Sequence, residues 1–280
     1  MNCGSKIVVF DLDETLGYFV EFGMFWDTLK NYYKNLNLDP NPNPNKNPVF
    51  DQDLFNKLLD LYPEFIRPNI LNILNYLKRK KQDKHCHKLM IYTNNQGPPE
   101  WAQQIKGYFE DKMNASLFDQ IIGAFKVNGK QVELSRTTHM KTHKDFISCT
   151  KIPETTQICF IDDVFHPGMS NDNIYYIHIK PYTYDLPFDT IVDRFVGSGL
   201  LHVDSPTSMK EAIIAGMKRY NYTYVEKTQL EHEIDAMLSK KILHHLHTFF
   251  NRKLLIKSRL GKTIKNKTSQ KNKTQKNKRL

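Results

Sequence analysis

The sequence predicts an α/β fold in which helices flank a central parallel sheet. Three observations carry this expectation. Four short apolar runs, at 6–10, 88–92, 157–161 and 174–179, each end in polar or turn residues. They are unbroken rather than alternating, as in strands buried on both faces. Between them lie stretches of helical periodicity, and strands alternating with helices define a layered α/β architecture.

Taken in order, Lys6-Ile-Val-Val-Phe10 is the first strand and runs into Asp11. The aromatic-rich stretch Gly17–Trp26 reads as a flap after that strand. Leu38–Pro48 (LDPNPNPNKNP) forms neither helix nor ladder, and 51–62 has the pattern of an extra helix. Pro68–Lys80 sets Ile70, Ile73, Leu74 and Leu77 on one helical stripe, and Pro98–Met113 opens on prolines suited to a helix N-terminus. The second strand, Lys88–Tyr92, runs into Thr93-Asn94-Asn95. Residues 121–134 read as a hairpin around an Asn128-Gly129 type I′ turn. A helical stretch holding Lys144 leads to the strand Gln157–Ile161, which runs into Asp162-Asp163; Ile174–Ile179 runs into Lys180-Pro181. Beyond residue 200 the pattern is helical, with Ser205 as N-cap before Pro206 and a long helix over Glu226–Leu260. The last twenty residues are nearly free of apolar side chains and are expected to be disordered. The implied division is 1–200 as the α/β domain, with 17–65 as flap and small cap insertion, 201–260 as a helical appendage, and 261–280 as a basic tail.

The chain of 280 residues carries 40 Lys and Arg against 30 Asp and Glu, a formal charge of +10. Twelve of the basic residues and no acid lie in 252–280, leaving 28 against 30 in the rest. The basicity belongs to the tail, so no basic groove in the fold is implied. Cys3, Cys86, Cys149 and Cys159 have no paired spacing. No apolar leader or membrane-length run is present, which predicts an intracellular protein, cytoplasmic or nuclear and not secreted, without a membrane partner.

The chemistry concentrates at strand ends. Asp11-Leu12-Asp13-Glu14-Thr15 follows the first buried strand, and ligands of open parallel sheets bind outside the carboxyl ends of the strands. Thr93 ends the second strand, Asp162-Asp163 the fourth element, and Lys144 precedes it. Acids, a hydroxyl and an amine from four segments would meet at one sheet edge.

This four-part pattern resembles the haloacid dehalogenase superfamily, and its Rossmann-like three-layer fold is expected here. DLDETL, Arg67-Pro68, Trp101-Ala102, Lys144-Asp145-Phe146 and the hairpin resemble more narrowly the phosphatases acting on the C-terminal domain of RNA polymerase II, over about residues 5–185. The Asn/Pro loop is similar to that of related proteins of large DNA viruses. The resemblance implies an Mg²⁺-dependent phosphatase acting on a phosphoserine or phosphothreonine protein. Asp11 would be the nucleophile, Asp13 the general acid and base, and Thr15 would orient Asp11. Thr93, the Asn94 N–H and Lys144 would bind phosphate. Asp11, the Asp13 carbonyl and Asp163 would hold the metal; in other branches Asp162 serves in place of Asp163. Lys126, Lys130, Arg136 and Lys141 lie near Lys144, and Lys141 is the competing choice for its role.

A small cap would favour a small phosphorylated metabolite instead. The remaining alternatives are a polynucleotide-end phosphatase and a non-catalytic phosphopeptide-binding scaffold, the latter disfavoured because a binder has no need of Asp13. The tail reads as a solvated extension, a nucleic-acid or nuclear-localisation patch, or a contact for an acidic partner. His85-Cys86-His87, flanked by lysines, reads as a solvated loop rather than a zinc site.

Overall fold

The computed structural model describes residues 5–36, 48–201 and 205–252. The Asn/Pro loop at 38–47 and the tail at 261–280 lie outside the described residues, as does the end of the long C-terminal helix expected to reach Leu260. The protein is α/β, with a five-stranded, wholly parallel sheet of order β3-β2-β1-β6-β7. Its strands are β1 (Lys6–Phe10), β2 (Lys88–Tyr92), β3 (Gln120–Ile122), β6 (Gln157–Asp162) and β7 (Ile174–His178). The strands at 6–10, 88–92, 157–162 and 174–178 follow the apolar runs to within a residue at each end.

Eight α-helices are described: α1 (Val20–Leu36), α2 (Gln52–Leu59), α3 (Ile70–Gln82), α4 (Pro99–Met113), α5 (His143–Thr150), α6 (Phe188–Ser198), α7 (Pro206–Lys218) and α8 (Gln229–Asn251). All but α5 contribute to one hydrophobic cluster, with Val8, Phe10, Leu89, Ile91, Cys159 and Ile161 on that face of the sheet. The other face, with Ile7, Val9, Met90, Tyr92 and Phe160, is covered by Phe146 of α5 and by Met169. Handedness explains why α1–α4 and α5, which lie between strands, take opposite faces. The chain moves outward from β1 through β2 to β3, then returns to place β6 on the far side of β1. Right-handed crossovers in opposite directions put their connections on opposite faces. The reversal point lies between β1 and β6, where Phe10 pairs with Ile161.

Two expectations are corrected. The stretch read as a flap is mostly helix α1, because Phe22, Phe25, Trp26, Leu29 and Tyr33 are buried at helical spacing. The hairpin holds over 124–133, where the Val132 N–H donates to the Phe125 carbonyl at 3.0 Å and the Glu133 N–H to the Ala124 carbonyl at 3.3 Å, but Ile121-Ile122 instead joins the parallel sheet beside Ile91-Tyr92. The remaining ladder pairs β4 (Lys126–Val127) with β5 (Lys130–Gln131). Its turn does carry Asn128 and Gly129 at positive φ, as a type I′ turn demands. Ser205 stands at the N-cap of α7 but makes no side-chain cap bond. The helix over Phe188–Ser198 was not read from the sequence at all.

Helices α7 and α8 share the large cluster with the sheet: Met209, Ile213 and Met217 of α7, and Ile242, Leu246 and Phe249 of α8. Helix α8 opens with a capping box between Thr228 and Glu231. At its other end the Lys6 ammonium donates to the carbonyls of Phe249 (2.9 Å), Phe250 (2.9 Å) and Arg252 (3.0 Å). A cation there satisfies orphan carbonyls and the negative end of the helix dipole. Among the described residues no helix is long and apolar enough to cross a membrane.

Glu21, in the first turn of α1, is fully buried, and both its carboxylate oxygens accept from the Leu186 N–H at 3.1 Å. Burial, with Asp185 nearby, pushes its carboxyl up to about 8, whereas the unfolded chain releases that proton near 4.5. The folded form therefore holds the extra proton between those values. This contribution to stability is complete below about pH 4.5 and is lost as pH rises to about 8, at up to about 1.4 kcal/mol per pH unit. Glu21→Gln is expected to gain stability on wild type as pH rises from 5 to 8 in urea unfolding. A difference independent of pH would refute it.

Candidate active site

The site grows from the carboxyl ends of β1, β2 and β6. The ladder carries Asp11 directly past β1, its N–H donating to the Ile161 carbonyl at 2.9 Å, and Thr93 past β2, donating to Ile122 at 2.9 Å. Asp162 closes β6 opposite His178. One carboxylate oxygen from each of Asp11, Asp162 and Asp163 lies within 4.8 Å of the others, and all three side chains are buried.

The amine among these acids is Lys141, and this corrects the assignment of Lys144. Lys141 Nζ donates to Asp162 Oδ2 at 2.7 Å and also to Asp11 Oδ1, and Lys141 is 1% exposed. Lys144 is exposed on the first turn of α5. The reason is local. Thr142 caps α5 by accepting from the Asp145 N–H, so the helix turns away there. Lys141 stays in the extended segment that runs beside the sheet. A Cβ on Gly168 would meet the Thr142 side chain at 2.8 Å and the Lys141 carbonyl at 3.1 Å, so this close approach requires glycine.

Thr15, expected to orient Asp11, instead donates its hydroxyl to Asp163 Oδ1 at 2.9 Å. Asp162 Oδ2 is taken by Lys141 and its Oδ1 accepts from the Val164 N–H at 2.8 Å. Both Asp162 oxygens are thus committed within the protein; Asp162 and Asp163 both line the cleft. Asp13 lies outside the three-acid cluster, and Asn95 Nδ2 donates to its Oδ2 at 2.8 Å.

Neither matched families nor relatives guide the reading. Comparison with protein-family models, curated proteins and solved structures gave no match.

Burial raises the carboxyls of Asp13, Asp162 and Asp163, and raises Asp11 to about 8, outweighing the Lys141 ammonium beside it. Four acids face one buried amine. The carboxylate oxygens of Asp11, Asp162 and Asp163 are spaced so that they could hold a metal ion. A dication at such a site reverses the effect of burial and holds the acids ionised.

Asn95 and His166 carry no assigned role in the sequence pattern, and Arg136 figures there only as a neighbour of Lys144. Asn95 was visible only as part of the Thr-Asn-Asn run. Arg136, 1% exposed, donates to the carbonyls of Thr93 (3.1 Å), Gly123 (2.7 Å) and His139 (3.0 Å) and to Asn94 Oδ1 (2.8 Å). It braces the loop that presents Thr93 and Asn94 to the cleft. His166 lines the cleft with Nε2 at 3.6 Å from Asp162 Oδ2, and burial and Lys141 lower it to about 4.

A second brace holds the Asp13 loop. Glu14 has φ 56, a left-handed backbone unusual for a residue with a side chain. Its carbonyl accepts from the Tyr182 N–H at 2.9 Å and from Arg67 Nη2. Arg67 Nε also donates to the Thr15 carbonyl at 2.6 Å, its Nη2 to the Lys180 carbonyl at 2.9 Å, and its Nη1 to Ser239 Oγ of α8 at 3.4 Å. Asp235 of α8 accepts from Lys180 (2.8 Å) and Lys227 (2.6 Å). The C-terminal helix is thereby wired to the loop between Asp13 and Gly17.

Proposed function

We propose that this chain is an Mg²⁺-dependent phosphatase of haloacid dehalogenase type, hydrolysing phosphomonoesters through an aspartyl-phosphate on Asp11. The observation that carries the reading is the division of labour among the acids. Asp11 shares a cluster with Lys141 and Asp163, while Asp13 is held apart by Asn95. A group meant only to bind phosphate gains nothing from a second, separately positioned carboxyl.

An oxygen of Asp11 attacks phosphorus and the ester P–O bond breaks. Asp13, whose carboxyl is raised by burial, delivers its proton to the departing alkoxide. In the second half Asp13 takes a proton from water as the water oxygen attacks phosphorus, releasing phosphate and restoring Asp11. Lys141, with the Thr93 hydroxyl and the Asn94 N–H, faces the phosphoryl oxygens. Asp11, the Asp13 carbonyl and Asp163 would hold the dication, which would supply positive charge to offset repulsion between nucleophile and phosphate.

The cleft is lined by residues of the 11–14, 93–95, 141 and 162–166 segments, and among the described residues none comes from 17–65. The described residues of that insertion pack into the helical layer on one face of the sheet, which supports a site without a cap. An open cleft favours a phosphoserine or phosphothreonine protein, as for the phosphatases of the RNA polymerase II C-terminal domain, over a small metabolite.

The test is turnover of an aryl phosphate with Mg²⁺, its loss on chelation, and acid-quench trapping of labelled phosphate on Asp11. Metal-independent turnover, or label on another residue, would overturn the reading.

A further inference from the structure

Buried polar atoms are normally partnered, and one left unpaired costs stability. Tyr92, Arg136, His143, Thr156 and Gln157 each leave one buried side-chain atom unpaired among the described residues, and none of them lines the acid cleft. His166 leaves both ring nitrogens unpaired, is 3% exposed, and does line the cleft. Its ring is aimed there by the backbone and not by bonds of its own. The His166 N–H donates to the Tyr176 hydroxyl at 3.0 Å, and that hydroxyl donates to the Val164 carbonyl at 2.7 Å. The Met169 N–H donates to the His166 carbonyl at 2.9 Å, and Phe165 stacks on Tyr176 with ring centroids 5.5 Å apart. The fold thus fixes the chain on both sides of an imidazole whose polar atoms it does not satisfy. A phenyl ring would fill the same space without that cost.

We infer that His166 is a further phosphate-binding residue, its ring N–H donating to a phosphoryl oxygen of the substrate beside Lys141. The inference deepens the phosphatase reading and rests on its placing the phosphate in this cleft. Asp162 Oδ2 accepts from Lys141 Nζ at 2.7 Å and lies 3.6 Å from His166 Nε2. The ring therefore stands beside the ammonium that faces the phosphoryl group, and too far from the carboxylate for a hydrogen bond of its own. A metal ion does not suit the gap between the ring and Asp162 Oδ2, because the ammonium already on that oxygen would repel a second cation. An anion suits it. The Lys141 ammonium has three N–H groups and gives two of them to Asp162 and Asp11, which leaves one for the substrate. With the Thr93 hydroxyl and the Asn94 N–H, few protein donors face a group rich in acceptor lone pairs. An imidazole N–H adds another, already held in place before the substrate arrives.

The test is calorimetric binding of inorganic phosphate to the full chain with Mg²⁺, for wild type, His166→Phe and His166→Gln, with a melting temperature for each. His166→Phe should weaken phosphate at least about tenfold, the size of one hydrogen bond to a charged group, and should melt no lower than wild type. His166→Gln keeps an N–H donor and should stay within about threefold of wild type. In wild type, the nitrogen resonances of the His166 ring should shift on phosphate addition, as direct contact requires. Phosphate affinity unchanged in His166→Phe would overturn the inference and leave the phosphatase reading standing. Equal loss in both variants would assign the ring to packing and overturn it too. The reverse separation is also available. Affinity ranking wild type and His166→Gln above His166→Phe would uphold the inference even if labelled phosphate were trapped on a residue other than Asp11. A wild-type chain that binds no phosphate would overturn both.

Discussion

Lys141→Met is expected to lower turnover by at least about a thousandfold, while Lys144→Ala stays within about twofold. Removing one neutral donor from a preorganised site costs about 10²–10³ in rate, and Lys141 is a full charge buried against two carboxylates. Methionine keeps much of the side-chain length, so the pocket stays filled while its only cation among the lining residues is lost. Lys144 projects from α5 into solvent and touches none of the acids. Steady-state kinetics on an aryl phosphate, with melting temperatures for both variants, makes the comparison. The reverse ranking would show that the third element of the site had been misplaced.

Arg67→Ala is expected to destabilise the fold by about 3–5 kcal/mol, because three carbonyls and the Ser239 hydroxyl lose a donor in a buried setting. Burial lowers the guanidinium to about 10, with Asp163 and Asp235 acting to restore it, so it stays charged at neutral pH. Arg67→Lys should rescue little, since a single ammonium cannot reproduce the planar fork that spans Glu14, Thr15 and Lys180. The loss should also reach the chemistry, as the Glu14 backbone loses one of the bonds that hold its left-handed turn. Chemical denaturation gives the first effect. A fall in kcat exceeding any rise in KM gives the second. A variant as stable as wild type would mean that Arg67 is not the brace the hydrogen bonds describe.

The parallel strands were legible because burial on both faces leaves an unbroken apolar run, and the site followed because its acids sit one residue past those runs. Asp11, Thr93 and Asp162-Asp163 could be placed on one edge without knowing a single contact. Lys141 could not be separated from Lys144 that way. Both precede the same strand, and only the Thr142 cap decides which of them leaves the sheet. Helix α1 was hidden because its aromatics resembled a flap in composition, although their spacing was helical. Ile121-Ile122 could pair with a hairpin partner or with β2, and the choice rests on Tyr92 and Ile122 meeting across space. The Arg67 brace depends on α8, more than 170 residues away in the chain, a distance at which no local pattern carries information.

The bond between Lys6 and the end of α8 spans 243 positions. Translation proceeds N-terminal first at about 5–20 residues per second, so the acceptors for this ammonium are synthesised roughly 10–50 s after the lysine itself. Until then the bonds from Lys6 to the carbonyls of Phe249, Phe250 and Arg252 cannot form. The contact between β1 and the end of α8 is therefore expected to close late in folding, after the strands that flank β1 have already been made.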